Sequence, residues 1–499
     1  MKGDFSRVSF DAANHFSRVL SQQGRVTLDA DFNEQADILL HVLRTMARDL
    51  FGPHGGPVDG GFALSFARAT SGPPGVAPPP ATGKLILQIG SGHYYVDGIL
   101  CESDGCDYAS QADYMPPLAD EHGSGGDALL AWLKSPSKGQ AFAIYLDVWE
   151  RHITWIEQDS IREVALGLGA PDTCTRSQVV WQVKALPWDA QWDPPKCPDI
   201  PKVLMLSSTA RMAARLSTGT QISDPCSIPP DAKYRGAENQ LYRVEVHQGG
   251  TVGGNTSPTF KWSRDNGSVA TRWLGTEKYD LIVTNARSFG PGCWVELSDN
   301  DHDLRGEPGP LAKLARVQGD RLSVDPSSIA ESAIAWSAQR RIPKVRRWDQ
   351  TENDSPGLNG GAISIVESAN PANPTWIDLE DGIQVWFASG KTYRSGDYWL
   401  IPARVGSGGI EWKGDTHDSL LKAPRGVEHH FAPLGIINWV SGSSPQNSID
   451  NCRICNQMSA VACGNAAVVP GGTVVPPAVN PAAPPRAKRT PKPPRSPHT

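Results

Sequence analysis

The sequence lacks the features that would assign it to a membrane protein or to a common enzyme class. It contains no uninterrupted apolar run of about 18 residues, so no membrane span is predicted. Residues 1–7 do not form the apolar centre of a signal peptide, from which we expect synthesis in the cytoplasm. Gly-x-Ser-x-Gly, Walker, dinucleotide-binding and His-Glu-x-x-His motifs are absent. The sequence therefore predicts no catalytic residue and no cofactor, and it favours a structural or binding role over an enzymatic one.

Charge is also sparse and unevenly placed. Charged side chains make up 20% of the 499 residues, and the formal net charge is -6. The last stretch holds five basic residues and no acidic one, namely Arg486, Lys488, Arg489, Lys492 and Arg495. The rest of the chain therefore carries about -11, which does not suit a nucleic-acid-binding body. No nucleic-acid partner is expected.

Glycine, proline and tryptophan, by contrast, are abundant, with 49, 42 and 16 residues. Glycine and proline interrupt helices, whereas aromatic side chains favour pleated surfaces. Runs with a period of two predict strands at 84–89, 93–100, 141–155, 177–186, 240–247, 259–262, 294–297, 382–387 and 397–401. Asp265-Asn266-Gly267 predicts a tight turn. We expect a mainly β fold of several sandwich-like or barrel-like sheets, with a short helical segment near the N-terminus.

The length predicts about two to four domains at roughly 150 residues each. The predicted segments are 1–55, an extended stretch and an amphipathic helix that serves for docking; 56–83, a Pro/Gly-rich connection; 84–250 and 251–440, two β-rich regions; 441–463, a Cys-bearing segment; and 464–499, a Pro-rich basic tail. We expect the tail to be disordered, because its composition cannot form a packed core.

The N-terminal helix is predicted from Asp31 as N-cap to Phe51, where Gly52 and Pro53 end it. Apolar residues recur on one face at three- and four-residue steps, among them Leu39, Leu40, Leu43, Ala47 and Leu50. Such a stripe must be covered. The cover is either a sheet of this chain or another molecule, which would be a partner protein or a second copy.

Two clusters have the composition of weak metal sites. Cys452 and Cys455, followed by Cys463, could place thiolates on zinc, but a fourth ligand is missing nearby. We prefer a disulfide or free thiols there. Asp299, Asp301 and Asp303 could converge on calcium, yet the later positions of an EF-hand loop do not match. We prefer a solvated turn, so no metal is predicted.

Aromatic and charged residues cluster at Trp262 and Arg264, at Trp348, and at Tyr398. These side chains could form a protein interface or a sugar-binding surface, or they could cover a core with Arg-Asp pairs at its rim. His429 and His430 are adjacent, so on a strand they would point to opposite faces. We expect them to be packed, hydrogen-bonded histidines at a sheet edge.

Several stretches, taken in order, carry a family resemblance. They are MKGDF at 1–5, QQGRVTLDADFNEQ at 22–35, YLDVWERH at 145–152, REVALG at 162–167, FKWSRDNGSV at 260–269 and GDYWLIPAR at 396–404. With them the chain resembles a bacterial domain-of-unknown-function family that occurs mainly in large multidomain or phage-tail-associated proteins. The resemblance covers most of residues 1–440. It implies no catalytic residue, because the family's function is not established.

The opening also resembles the entry segment of phage tail and baseplate-associated proteins, where a Gly-Arg turn leads into an acidic helix start. This resemblance implies a part of a phage-tail-like or contractile injection particle, with other proteins of the assembly as partners and homo-oligomers as a further option. It also implies a place within a released particle. The Cys-bearing, Pro-rich end after Asn451 departs from the pattern.

Two hypotheses of function remain open. The first is a structural or adaptor component of a tail-like assembly. The second is a carbohydrate-binding or carbohydrate-active protein that uses the aromatic and carboxylate patches, which would make a glycan the partner. An assembly component should co-purify with sheath, tube or baseplate proteins, whereas a glycan-active protein should bind or cleave polysaccharide.

Overall fold

Strands follow one another along most of the chain, as the alternation of apolar and polar side chains in the sequence predicts. The computed structural model describes residues 1–58, 61–68, 85–116, 127–137, 139–167, 172–189, 196–204, 208–217, 233–352, 356–368, 374–412, 420–438 and 448–456. The predicted tail at 464–499, the loop at 71–83 and Cys463 lie outside these residues. The expectation of a mainly β protein with several sheets is confirmed.

The helices and the strands of the first half follow in chain order. The helices are α1 (Asp29–Phe51), α2 (Ala128–Lys134), α3 (Ile200–Leu204) and α4 (Asn300–Arg305). The strands are β1 (His54–Pro57), β2 (Leu64–Arg68), β3 (Leu85–Ile89), β4 (Gly92–Val96), β5 (Ile99–Ser103), β6 (Cys106–Asp107), β7 (Gln140–Ile153), β8 (Arg176–Asp189), β9 (Met212–Leu216) and β10 (Gln240–Gln248). Strand β2 lies in the segment that was predicted to be a connection.

The strands of the second half begin after β10. They are β11 (Gly250–Thr251), β12 (Thr259–Ser263), β13 (Ala270–Glu277), β14 (Asp280–Val283), β15 (Trp294–Ser298), β16 (Leu311–Gln318), β17 (Arg321–Val324), β18 (Lys344–Trp348), β19 (Leu358–Asn359), β20 (Ala362–Ser364), β21 (Glu367–Ser368), β22 (Ile377–Asp378), β23 (Ile383–Ala388), β24 (Thr392–Tyr393), β25 (Tyr398–Arg404), β26 (Gly409–Ile410), β27 (His430–Asn438), β28 (Ile449–Asn451) and β29 (Cys455–Asn456). Each predicted run overlaps an observed strand. The run at 93–100 is a hairpin, because Asp97 and Gly98 both adopt positive φ between β4 and β5.

The first core lies among three sheets of the N-terminal part, two of which include the late strands β27, β28 and β29. Strand β7 pairs with β8 along its whole length and with β27 on its other side, in the order β28-β27-β7-β8. The neighbouring sheets have the orders β29-β1-β4-β5 and β2-β3-β6. One face of β7 contributes Phe142, Ile144, Leu146 and Val148 to this core. The alternate residues face the other way, as the period of a strand requires.

A second core fills the space between a six-stranded sheet and a smaller sheet. The large sheet has the order β19-β20-β12-β10-β25-β26, and the smaller sheet contains β21, β23, β22 and β9. Tyr242, Val244, Phe260, Trp262 and Phe387 are buried between them. The third core is the interior of a closed barrel of β13-β14-β17-β16-β15-β18. Together these cores account for the burial of most large apolar side chains.

Strand pairing crosses the boundary that was predicted between residues 250 and 251. Strand β27 pairs with β7, and β9 pairs with β23. A disulfide joins Cys197 to Cys452 across 255 residues of sequence. The described residues fall within one compact unit. The sheets therefore do not follow the two predicted β-rich segments.

Helix α1 begins three residues earlier than predicted, because Asp31 has a different role. Leu28 occupies the N-cap position, and the Asp31 carboxylate accepts a hydrogen bond from its backbone N–H at 3.1 Å. Asp31 thus supplies the third-residue half of a capping box. Gly52 ends the helix with a φ of 76°, as glycine does at many helix C-termini. Within the described part of the chain, no helix is long and apolar enough to cross a membrane.

Candidate functional site

The strands of the large sheet have one apolar and one charged face. On β10, Tyr242 and Val244 point into the second core, while the intervening Arg243 and Glu245 point to the opposite side. On β12, Lys261 lies on this opposite side between Phe260 and Trp262. A charged face of this kind is normally solvated, but here its residues are buried. Another part of the chain must therefore cover it.

The cover is the outer wall of the barrel. Strands β15 and β18 are paired, with Glu296 opposite Arg346 and Ser298 opposite Lys344. Val295, Leu297 and Val345 occupy the interior of the barrel. The alternate residues Glu296, Lys344, Arg346 and Trp348 point outward but are also buried. Two charged strand faces thus share one water-poor region between two apolar cores.

Charges within this region are paired at short distances. Lys261, only 1% exposed, lies 2.7 Å from Glu296 and 3.4 Å from Glu245. The Arg243 Nε lies 2.5 Å from Glu245. Trp348 donates its indole N–H to Glu296 at 2.9 Å, and the Lys261 ammonium lies 4.5 Å from the Trp348 ring centroid. These contacts neutralise the buried carboxylates and satisfy the indole.

The first residues of the chain complete the same region. Lys2 Nζ lies 2.9 Å from Glu245, and the Asn266 amide donates to the carbonyl oxygens of Met1 at 3.2 Å and Gly3 at 2.8 Å. Burial lowers the pKa of Lys2 to about 8. Burial opposes ionisation of Glu245, but the positive charges of Lys2, Arg243 and Lys261 hold its pKa well below the usual range. The MKGDF opening is thus part of the folded body.

A cavity of about 830 Å³ adjoins these residues. Its wall includes Lys344, which lies 2.8 Å from Glu157 and 2.5 Å from Asp303. Arg151, from the end of β7, lies 3.0 Å from the same Asp303 carboxylate. We call the following set the ionic layer: Lys2, Arg151, Glu157, Arg243, Glu245, Lys261, Glu296, Asp303, Lys344 and Arg346. Most of its members line the cavity, which makes it the candidate functional site.

The acidic stretch that was considered for calcium belongs partly to this site, but it is not a solvated turn. Asp299 is the N-cap of α4 and accepts from the backbone N–H groups of Asp301 and His302. Asp301 pairs with Arg341 at 2.6 Å, while Asp303 pairs with Lys344 and Arg151. Each carboxylate therefore faces a different cation. No group of three or more metal-ligating side chains occurs among the described residues.

The cysteine pair that was considered for zinc does not present two thiolates to one ion. Cys452 is joined to Cys197 in a disulfide, with the two Cα atoms 5.5 Å apart, and Cys455 is an exposed thiol. Cys463 lies outside the described residues. The preferred expectation of a disulfide or free thiols is confirmed for Cys452 and Cys455. The sequence did not indicate Cys197 as the partner of Cys452, since the two ends of this bond come from distant parts of the sequence.

The two adjacent histidines contact different carboxylates, as expected for a strand. His429 Nδ1 lies 2.7 Å from Asp147, whereas His430 Nδ1 lies 2.9 Å from Asp97. His429 also stacks on Trp149, with ring centroids 4.8 Å apart. Both histidines line the cavity. They are packed and hydrogen-bonded to different partners, as predicted.

The predicted interface residues divide into two groups. Trp262 and Trp348 are 1% and 0% exposed, and Tyr398 is buried beneath the Arg243 guanidinium. The prediction that these three residues form an exposed aromatic patch is therefore wrong. Arg264 lies at the rim, 2.7 Å from Glu380. This is the core-covering alternative with ion pairs at its edge. The helix residues Leu39, Leu40, Leu43 and Leu50, in contrast, are all exposed.

Sequence reasoning did not single out most of the ionic layer. The available signal was the alternation of charged and apolar residues on strands, as in Arg243-Val244-Glu245-Val246 and Lys344-Val345-Arg346. That alternation indicates one polar face, and a polar face normally points to solvent. Only the packing of the barrel against the sheet shows that these two polar faces cover one another.

Comparisons with known proteins place the chain in a family without adding a function. No curated protein and no solved structure matches it. A family model described as a family of unknown function, DUF6519, matches residues 1–193 and residues 189–496. These matches together extend over nearly the whole chain and confirm the resemblance to a domain of unknown function. The chain therefore belongs to the DUF6519 family.

Proposed function

We propose that this protein is a non-enzymatic structural or adaptor component of a phage-tail-like or contractile injection assembly, and that helix α1 binds a partner protein of that assembly. The supporting observation is the apolar face of α1. Leu39, Leu43 and Leu50 are 54%, 55% and 57% exposed, and Phe32 and Leu40 are exposed beside them. An exposed apolar surface of this kind marks an interaction site.

The body of the chain holds α1 along only one of its sides. Ala30 and Ile38 are its buried residues, and Arg44 forms an ion pair with Glu150 at 2.9 Å. At the end of the helix, Phe51 stacks on Tyr95 with ring centroids 4.6 Å apart. These contacts fix the helix on the surface. The leucine face remains uncovered by the described part of the chain, which favours the partner alternative over an intramolecular cover.

The segment before α1 extends the same surface. Phe16, Leu20 and Val26 are also exposed, between the N-terminal residues and the helix. The resemblance to tail and baseplate-associated proteins lies in this region, at residues 22–35. The sequence similarity and the uncovered apolar surface therefore fall on the same part of the chain, and this coincidence supports an assembly role.

Binding through α1 alone would be weak. Burying the exposed halves of four leucine side chains contributes roughly 3 to 6 kcal/mol, whereas association costs an estimated 4 kcal/mol or more. A single such helix would not hold a monomer to a partner. Several copies in a particle would bind more tightly through multivalency. The proposal therefore predicts stable incorporation into an assembly and weak binding to an isolated partner.

A triple variant, Leu39→Gln/Leu43→Gln/Leu50→Gln, tests the proposal by co-purification with sheath, tube or baseplate proteins from the source cells. We expect the melting temperature to stay unchanged, because these side chains make few intramolecular contacts, while incorporation into the particle is lost. The control is Val164→Gln/Leu166→Gln, two exposed apolar residues elsewhere. Undiminished incorporation of the triple variant would refute docking through α1. Absence of any such particle, together with polysaccharide binding by the native chain, would favour the carbohydrate alternative.

The carbohydrate alternative has less support. Sugars stack on exposed aromatic faces, but Trp262 and Trp348 are enclosed by the cores of the protein. The half-buried Arg264, without those aromatic faces beside it, offers hydrogen bonds only. Polysaccharide binding would therefore have to use surfaces that the sequence patterns did not single out.

A further inference from the structure

The ionic layer contains more positive than negative side chains. It has six cations, Lys2, Arg151, Arg243, Lys261, Lys344 and Arg346, and four carboxylates, Glu157, Glu245, Glu296 and Asp303. Three further carboxylates line the cavity: Glu307 and Glu428 are exposed to solvent, and Glu150 is balanced by its ion pair with Arg44. A buried charge without a counter-charge is strongly unfavourable. The surplus points to a negatively charged ligand.

The surplus is concentrated on Arg346. This residue is 8% exposed and lines the cavity, and its Nη1 donates to the Gly267 carbonyl. Among the described residues, no carboxylate oxygen lies close enough to the Arg346 guanidinium, within 4.0 Å, to form an ion pair. A guanidinium has five N–H donors in a planar fork. Donors are therefore left for a ligand inside the cavity.

Two further arginines have unused donors in the same wall. Arg151 uses Nη2 on Asn300 and Asp303, but its buried Nε has no hydrogen-bond partner in the described structure. Arg305, at the end of α4, also lines the cavity, and its buried Nε likewise has no partner there. Arg346 and Lys344 lie on one face of β18, and Lys344 shares Asp303 with Arg151. The three arginines thus surround a common region.

We propose that this cavity binds a small organic anion, with Arg346 and Arg151 contacting its carboxylate or phosphate group and Arg305 contributing a further donor. Guanidinium groups recognise both anions through paired hydrogen bonds. The volume of about 830 Å³ lies within the roughly 300 to 1,000 Å³ typical of small-molecule sites. It leaves room for the rest of a molecule beside Trp149 and His429. A cation is disfavoured, because Lys344 and Arg151 together already neutralise Glu157 and Asp303.

Helix α1 contributes Arg44 to the cavity wall but none of its exposed leucines, so this inference does not depend on the adaptor role. It can be tested by isothermal titration calorimetry on the full chain, with inorganic phosphate and citrate as probes at constant ionic strength. We expect saturable binding of at least one probe, and the stronger probe identifies the preferred anion class. No saturable binding of either probe would overturn the proposal.

Substitutions locate the binding. Arg346→Gln should weaken it by about tenfold or more, since a charge-assisted hydrogen bond is lost. Arg305→Gln breaks no ion pair in the described structure and should therefore fold; it provides a second test if Arg346→Gln does not. The matched control is Arg321→Gln, which removes the same charge from a half-exposed position on the barrel. The assignment would be overturned if Arg305→Gln bound the probe as tightly as the native chain and Arg346→Gln also bound it unchanged. It would likewise be overturned if Arg305→Gln bound unchanged and Arg346→Gln did not fold.

Discussion

The replacement Lys261→Met tests whether the ionic layer is held together by buried charge pairs. Lys261 is the cation that lies closest to Glu296, at 2.7 Å, and it also contacts Glu245 and the Trp348 ring. Methionine retains most of the side-chain volume but removes the ammonium group. Glu245 keeps Lys2 and Arg243, so the loss falls mainly on Glu296.

The expected destabilisation is about 3 to 5 kcal/mol, the range for removing one partner of a buried ion pair. It should be measured as the change in the free energy of unfolding in urea at pH 7. The control is Lys313→Met, which breaks an exposed pair with Glu352 and should change stability by less than about 1 kcal/mol. Equal effects of the two replacements would refute the reasoning.

The pH dependence provides an independent check. Burial opposes ionisation of Glu296, but Lys261 and Lys2 lower its pKa to about 2 from an ordinary value of 4.5. In the native protein, ionised Glu296 therefore contributes stability above pH 4.5, and this contribution is lost as the pH falls towards 2. In Lys261→Met, burial should raise the pKa instead. The deficit of the variant should then be largest at neutral pH and should shrink as the pH falls through 4.5.

A double variant separates the charge effect from packing. In Lys261→Met/Glu296→Gln, no unpaired carboxylate remains beside residue 261, so part of the lost stability should return. Recovery is expected to be incomplete, because Glu296 also accepts the Trp348 indole N–H and the Gly309 backbone N–H. No recovery at all would show that the lysine contributes through its shape or its contact with Trp348.

Three further predictions concern other parts of the molecule. Replacing Cys197 with serine, or reducing its disulfide to Cys452, should lower the free energy of unfolding by about 2 to 4 kcal/mol in urea titrations. The control is Cys174→Ser, which removes an exposed free thiol. An unchanged unfolding midpoint would contradict a bond that constrains the chain. Calcium calorimetry on chelator-treated protein should show no binding tighter than about millimolar, since Asp299, Asp301 and Asp303 face separate cations; micromolar binding that is lost in Asp301→Ala would overturn this. Gly98→Ala should destabilise the β4–β5 hairpin and its contact with α1, because the residue has a φ of 81° and its new Cβ would overlap the Arg44 carbonyl. The control is Gly253→Ala, at a glycine with positive φ in open space. Equal melting temperatures of the two variants would argue against the contact.

The local elements could be predicted from the sequence because their patterns are local. The period of two located strands such as β7, β8, β10 and β12, although the barrel strands β13, β14 and β16 to β18 were not among the predicted runs. The apolar stripe with Gly52 located α1 and its end. The start of α1 was misjudged by a few residues, since a carboxylate such as that of Asp31 can serve either as the N-cap or as the third residue of a capping box. Both positions satisfy backbone N–H groups at the same helix end, so composition alone does not distinguish them.

The arrangement of the sheets and the buried site could not be predicted in this way. Whether Lys261 points to solvent or to Glu296 depends on the barrel, whose covering strands β15 and β18 start more than thirty residues later and pack by their outer face. The aromatic neighbours of Lys261 were predicted to be exposed for the same reason. An exposed patch and a covered layer show the same alternation of polar and apolar residues along a strand. Cys197 and Cys452 show the limit most clearly, since nothing near either residue indicates its partner.

The parallel pairing of β1 with β29 has a consequence for how the protein is made. Gly56 pairs with Cys455, so a sheet that begins within the first sixty residues is finished by a strand from the far end of the described chain. At roughly 5 to 20 residues per second, a ribosome needs about 20 to 80 s to synthesise the intervening segment. During that time one edge of β1 is exposed on the nascent chain. The N-terminal sheet therefore stays incomplete during translation until residues 455 and 456 have been synthesised.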